Sequence, residues 1–159
     1  MNRQYNELKC ASILLENIQS LSESNTFTVT TGHQLNIFTG PVYFLFKLVS
    51  TINLSKRLKE YYPDFHFIPI YWMASEDHDF EEISSFNMFG NKYHWATKQT
   101  GPVGRFDPSS LADVINQIDE KVELFEKAYG GFRTLADSVR FYVNELFGSE
   151  GLVVVDGDD

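Results

Sequence analysis

The chain has 159 residues, 43% of them hydrophobic and 22% charged, enough to bury a core and too apolar for a disordered segment. Its net charge of −9, with no Lys/Arg cluster, excludes a general attraction to nucleic acid or to an anionic membrane surface. One cysteine, Cys10, rules out an internal disulfide or a thiolate zinc site. The first residues lack a signal-peptide core and no apolar run reaches the ~18 residues of a membrane span, so the sequence reads as cytoplasmic.

Tyr5, Leu8, Ala11, Leu15 and Ile18 recur at three- and four-residue intervals and predict one amphipathic helix over 5–18. After the polar break 20–25, the β-branched and aromatic run 26–30 predicts a strand that Gly32 ends. Pro41 suits a first helical position, with Thr39 or Gly40 as cap, and Val42, Leu45, Phe46, Val49 and Ile52 mark the buried face of a helix running to about Glu60. Residues 65–73 form the next strand, although Pro69 argues for a bulge or an edge position. Strand, helix and strand make a βαβ unit.

Runs 83–89 and 92–95 around Gly90-Asn91 predict a small hairpin. Residues 100–104 are loop. Ser110 and Asp113 open a helix carried by Leu111, Val114, Ile115, Ile118, Val122 and Phe125; Gly130-Gly131 separates it from another with Leu135, Val139, Tyr142 and Leu146, stopped by Gly148. Leu152–Val155 reads as a buried parallel strand. The expected fold is α/β and Rossmann-like: a mostly parallel sheet with flanking helices and a small β-hairpin. Residues 1–159 would form part of a larger core, since another loop and helix should follow Val155.

Two segments carry chemistry. Thr31-Gly32-His33-Gln34, running to Gly40-Pro41, lies between a strand and a helix, where free N–H groups and the helix dipole favour a phosphate or carboxylate. The loop lacks the dinucleotide and P-loop fingerprints, and its glycines equally serve a plain strand-to-helix turn. Lys47, two turns into that helix, would reach an anion at its start. The second segment, Glu76-Asp77-His78-Asp79 with Glu81 and Glu82, follows the second strand. A histidine beside carboxylates suits proton transfer or ammonium recognition, whereas Asp77 or Asp79 could instead cap a helix that Glu81 and Glu82 favour. Consecutive residues diverge in direction, so no metal is assigned. The acidic tail 156–159 reads as a strand-end metal or ribose site, or as a frayed terminus.

The segments 30–43 and 69–82, in this order and followed by Gly151–Asp156, closely resemble the cysteine-adding ligases of bacillithiol biosynthesis. The resemblance implies a Rossmann-like core related to nucleotidyltransferase and class I synthetase folds. It implies addition of L-cysteine to glucosaminyl-malate, with ATP as the activating agent, and a homodimer formed through a helical coiled-coil region outside these residues. Many members carry Gln in place of His33, which implies positioning rather than proton transfer there. On this reading Thr31, Gly32, His33, Gln34, Gly40 and Lys47 bind substrate or nucleotide, while Glu76, Asp77 and His78 handle the amine. The competing expectations are a non-catalytic α/β binding or assembly module and another nucleotidyltransferase-like enzyme.

Overall fold

The computed structural model describes residues 2–6 and 8–159. A parallel three-stranded sheet is built from β1 (Thr26–Gln34), β2 (His66–Ala74) and β5 (Val153–Asp156), in the spatial order β1-β2-β5. The 20-residue helix α3 (Val42–Tyr61) makes the first crossover. The second crossover holds α4 (Phe80–Ile83), the hairpin β3 (Ser85–Met88) and β4 (Asn91–His94), then α5 (Ala112–Ile115), α6 (Glu123–Gly131) and α7 (Leu135–Phe147). The Rossmann-like expectation and the hairpin therefore hold. The hairpin turn is Phe89-Gly90, both at positive φ, one position earlier than the sequence suggested.

Pro69 sits in the central strand, not at an edge. His66 N–H donates to Asn25 O at 3.0 Å, so the even-numbered N–H groups of β2 face β1 and the odd ones face β5. Strand β5 pairs only from Ile70 onward, so Pro69 lies just ahead of the register that would demand a donor.

Two predicted helices are interrupted. The first becomes α1 (Asn2–Tyr5) and α2 (Ser12–Ser20); position 7 lies outside the described residues. Helix α2 buries Leu14 and Ile18, while Leu15 is exposed. The helix expected from Ser110 breaks after Ile115, because β-branched Val114, Ile115 and Ile118 and polar Asn116 and Asp119 weaken continuation. Tighter bonds from Gln117 N–H to Val114 O and from Ile118 N–H to Ile115 O close that turn and bury Ile118. Gly130 and Gly131 finish α6 instead of separating two helices; the break comes at 132–134, where the Thr134 hydroxyl accepts from Asp137 N–H and caps α7.

Helix α3 starts one residue later than expected: Pro41 is the N-cap residue, without a side-chain cap. Its buried face also differs. Phe44, Leu48, Thr51, Ile52 and Ser55 face the sheet, whereas Val42, Phe46 and Val49 face outward. Buried apolar side chains such as Phe44 and Leu48 each stabilise by about 1.5–3 kcal/mol relative to exposure. The Phe44 ring packs edge-on against Tyr71 at 5.2 Å, which places α3 on the sheet face carrying Thr31 and Tyr71. Among the described residues, no helix is long and apolar enough to cross a membrane.

Candidate functional site

Strand β1 runs straight through Gly32, which pairs with Trp72, so the sharp exit expected at Gly32 is absent. The turn comes at 35–40, through Phe38 (φ 55) and Gly40 (φ 59). A side chain at Gly40 would collide with Asn36, its Cβ lying 2.5 Å from Asn36 Cγ, so this glycine is required by both the turn and the packing. Three buried tyrosines hold the turn. Tyr142 donates to Asn36 O (3.0 Å), Tyr129 accepts from Phe38 N–H (2.5 Å), and Tyr71 reaches His33 O and Gln34 O (both 3.3 Å). Burial pushes all three phenols far up, so they remain neutral hydroxyl groups.

The two motif segments meet at the C-terminal edge of the sheet. Gln34 Nε2 donates to Asp77 Oδ2, and Asp77 Oδ1 accepts from Asp79 N–H at 3.0 Å. These bonds hold the Asp77 carboxyl below its ordinary range, the Gln34 amide first and then the Asp79 N–H, with a smaller contribution from nearby His78. His33 Nδ1 lies 3.0 Å from Gln34 O and 3.2 Å from Asn36 Nδ2, its ring against Phe44 at 5.3 Å. Asp79, not Asp77, caps the short helix α4, accepting from Glu82 N–H at 3.3 Å. His78 and Glu76 are exposed beside Asp77.

The end of β5 joins the same edge. Asp156 accepts from Ser75 Oγ and from Arg140 Nη2 (2.9 Å), and Arg140, with a side chain only 4% exposed, also bonds Asp137 at 2.9 Å. Asp158 N–H donates to Ser75 Oγ at 3.1 Å, and its carboxylate, lowered mainly by hydrogen bonding to Arg105, pairs with that guanidinium at 2.5 and 2.9 Å. The frayed-terminus reading of the acidic tail is thereby corrected: Asp156 and Asp158 are bound into the sheet end. The Glu76 carboxylate lies against Gly157, whose N–H donates to Met73 O at 2.9 Å, so any side chain at Gly157 would strike it. From below, Val103 N–H donates to Asp77 O (2.7 Å) and Gly104 N–H to Ser75 O (2.9 Å).

The structure thus brings Gln34, Asp77, His33, His78 and Glu76 to one edge and leaves four candidates elsewhere, Gly32 among them within strand β1. Lys47 donates to Gly32 O at 2.6 Å with its ammonium 5.4 Å from the Tyr43 ring centroid, so it stands beside β1, not at the helix start. Thr31 lines a groove between β1 and α3, and Gly40 shapes the turn. Sequence reading passed over Asn36, Ser75, Arg140, Gly104 and the three tyrosines, and took Asp156 only as part of the acidic tail. Asn36 lay within the first motif and Ser75 within the second. The tyrosines looked like ordinary core residues, because nothing in their spacing announces where a hydroxyl points.

A carboxylate kept ionised by fixed donors, beside an imidazole and an amide, can hold an ammonium group. The same donors make Asp77 a weak base, which favours holding over proton abstraction.

Comparison with known proteins agrees with this architecture. Residues 1–159 match the family described as "Bacillithiol biosynthesis BshC, N-terminal Rossmann-like domain". Proteins named "Putative cysteine ligase BshC" from Flavobacterium johnsoniae (46% identical, covering 100% of this chain and 32% of that protein), Flavobacterium psychrophilum (48%, covering 99% and 32%) and Christiangramia forsetii (47%, covering 100% and 32%) are similar to it. The chain spans about a third of the length of these relatives. With a parallel sheet of the expected topology and a match running from its first residue to its last, the chain belongs to the BshC family and corresponds to that family's N-terminal Rossmann-like domain.

Proposed function

We propose that this domain forms part of a ligase that adds L-cysteine to glucosaminyl-malate in bacillithiol biosynthesis, and that its share of the work is to hold the cysteine amine. The observation that carries this reading is the contact between Gln34 and Asp77, which unites the two motif segments in one polar cluster at the strand ends. Open α/β sheets bind ligands at that edge. The family description names bacillithiol biosynthesis and the relatives are named cysteine ligases, which supports a ligation involving cysteine.

Forming an amide requires an activated carboxyl and a free amine. In this proposal the ionised Asp77 receives the cysteine ammonium, Gln34 and Asn36 fix the geometry, and His33 orients the turn through Gln34 O. His78, exposed and next to Asp77, is placed to take a proton from the ammonium and so free the amine lone pair, which then attacks the activated carboxyl; the activating group leaves with the carboxyl oxygen and the nitrogen gives up its second proton to solvent. The Glu76 carboxylate lies beside Gly157, where the ends of β2 and β5 meet.

ATP is the proposed activating co-substrate, but the residues at the end of β1 do not by themselves fit a triphosphate. Asn36 fills the turn, Pro41 offers no N–H at the head of α3, and the Lys47 ammonium is engaged by Gly32 O. The groups that bind and split a nucleotide are assigned to the remainder of the full-length protein. A cytoplasmic homodimer joined through a helical region outside these residues belongs to the same reading.

Calorimetry with L-cysteine, ATP and glucosaminyl-malate tests it. Saturable cysteine binding by the 159-residue chain, abolished in Asp77→Ala, is expected, together with no product by mass spectrometry from the chain alone. Full ligase activity of Asp77→Ala in the full-length protein would overturn the assignment.

A further inference from the structure

The protons of the turn that follows β1 can be placed one by one. Three donors converge there on two carbonyls. The Tyr71 hydroxyl lies 3.3 Å from both His33 O and Gln34 O, and the Asn36 amide nitrogen lies 3.2 Å from Gln34 O. His33 Nδ1 is 3.0 Å from Gln34 O, which can only accept, and 3.2 Å from Asn36 Nδ2, which can only donate. These two neighbours demand opposite states of the ring nitrogen.

A bare Nδ1 would set its lone pair against the carbonyl oxygen at the shorter of the two distances. Once protonated, Nδ1 donates to Gln34 O and gives up only the longer contact with Asn36, whose amide already bonds the same oxygen. Nδ1–H and Asn36 then fill both lone pairs of Gln34 O, and the single Tyr71 proton goes to His33 O. Each buried polar group is paired in the right sense. The consequence falls on the other ring nitrogen: Nε2 keeps its lone pair and has no hydrogen-bond partner among the described residues.

Tyr71 is built to hold this arrangement. It lies fully buried in the central strand, opposite Thr31, and its side chain extends towards the end of β1. Its ring meets Phe44 edge-on at 5.2 Å, and Phe44 meets the His33 imidazole edge-on at 5.3 Å. The ring thus supports the imidazole through Phe44, while the hydroxyl holds the peptide carbonyls beside it. Rotation of those carbonyls would remove the acceptor of Nδ1–H and swing away the Gln34 side chain that donates to Asp77.

We propose that Tyr71 is a positioning residue of this site. Its hydroxyl locks His33 as the Nδ1–H tautomer, with Nε2 offered as an acceptor to a ligand N–H or O–H group, and keeps the Gln34 amide on Asp77. The effect on cysteine rests on the reading of Asp77 as the holder of its amine, whereas the tautomer does not.

Tyr71→Phe in the full-length protein tests the proposal, because the ring and its contact with Phe44 remain and only the hydroxyl is lost. Tyr5→Phe is the matched control. Tyr5 of α1 is also buried, and its hydroxyl accepts from Val154 N–H at 2.6 Å and reaches Val154 O at 3.3 Å on the outer edge of β5. Magic-angle-spinning 15N spectra of histidine-labelled protein in mildly alkaline buffer read the tautomer, with His33 identified by the signal lost in His33→Gln. The parent should show Nδ1 protonated and Nε2 bare, Tyr71→Phe a mixture of tautomers, and Tyr5→Phe the parent pattern. Tyr71→Phe should also raise KM for cysteine by about tenfold with kcat within about threefold, whereas a mere loss of folded enzyme lowers kcat and leaves KM unchanged. A bare Nδ1 in the parent or an unchanged tautomer in Tyr71→Phe would overturn the proposal, as would an unchanged KM while Asp77→Ala is impaired. Full activity of Asp77→Ala would overturn the reading of Asp77 instead, and the tautomer alone would then decide for Tyr71.

Discussion

Replacing Gly104 by alanine tests how tightly the candidate site is braced from beneath. The added Cβ would lie 2.5 Å from Ser75 Cβ, 2.8 Å from Ser75 O and 3.1 Å from Ser75 Cα. None of these belongs to a flexible tip. Ser75 is fully buried, its carbonyl accepts the Gly104 N–H, and its hydroxyl is bound by Asp156 and Asp158, so relief requires moving either the 101–104 loop or the end of β2. Overpacking of a fixed contact costs about 1–3 kcal/mol. At about 2 kcal/mol, a chain of this size should lose on the order of 4–8 °C in calorimetric midpoint. Gly130→Ala is the matched control: nothing lies within 4 Å of its Cβ in α6, and the loss of a helical glycine should raise the midpoint by a degree or more. A Gly104→Ala midpoint within about 1 °C of the parent would refute the close packing of loop and strand end.

In the full-length protein, Asp77→Asn should lower kcat/KM by about 10²-fold while the fold persists, since Asn keeps an acceptor but not the charge. The same variant has a pH signature. The Asp77 pKa is lowered in the folded chain, so its contribution to stability is complete above the unfolded value near 3.8 and disappears as pH falls through the folded value; parent and variant denaturation curves should converge in acid once the carboxylate is protonated in both states. His33→Gln should retain kcat/KM within about tenfold, because an amide can reproduce a bond to the turn; a loss beyond a hundredfold, about 2.7 kcal/mol, would make His33 a proton carrier. Asp156→Asn removes charge compensation from buried Arg140, and with Asp137 still bonded the loss should be about 2 kcal/mol, partly recovered in the Asp156→Asn/Arg140→Met double variant; simple additivity of the two would argue against coupling.

The strands were legible because their signals are local: β-branched runs at 26–31 and 152–155 need no knowledge of neighbours. The buried face of α3 was not. Its outward face holds as many large apolar residues as its inward one, so periodicity chose Val42, Phe46 and Val49, while the sheet took Phe44, Leu48 and Thr51. Pro69 misled in the opposite direction, since its missing donor matters only where a neighbouring strand begins, and that register depends on residues 84 positions later. At the site, the proximity of Gln34 and Asp77 follows from the parallel βαβ topology, but their direct bond does not. The Asp156–Arg140–Ser75 junction was hidden for a different reason. It draws single residues from three elements, none in a motif that pairs it with the others.

The Tyr5 hydroxyl has consequences for the timing of folding. It bridges both backbone groups of Val154, partners 149 positions apart in sequence. The outer edge of the sheet is therefore sealed only after nearly the whole domain has been synthesised, although β1, α3 and β2 can associate much earlier. During translation, at about 5–20 residues per second, the nascent chain spends several seconds with a two-stranded sheet whose flanks are both uncovered. Contacts of such long range also slow folding in general, because the loop must close before the bond rewards it. A nascent chain stalled before residue 154 should accordingly bind chaperones that recognise exposed strands, and be released from them once α1 has docked.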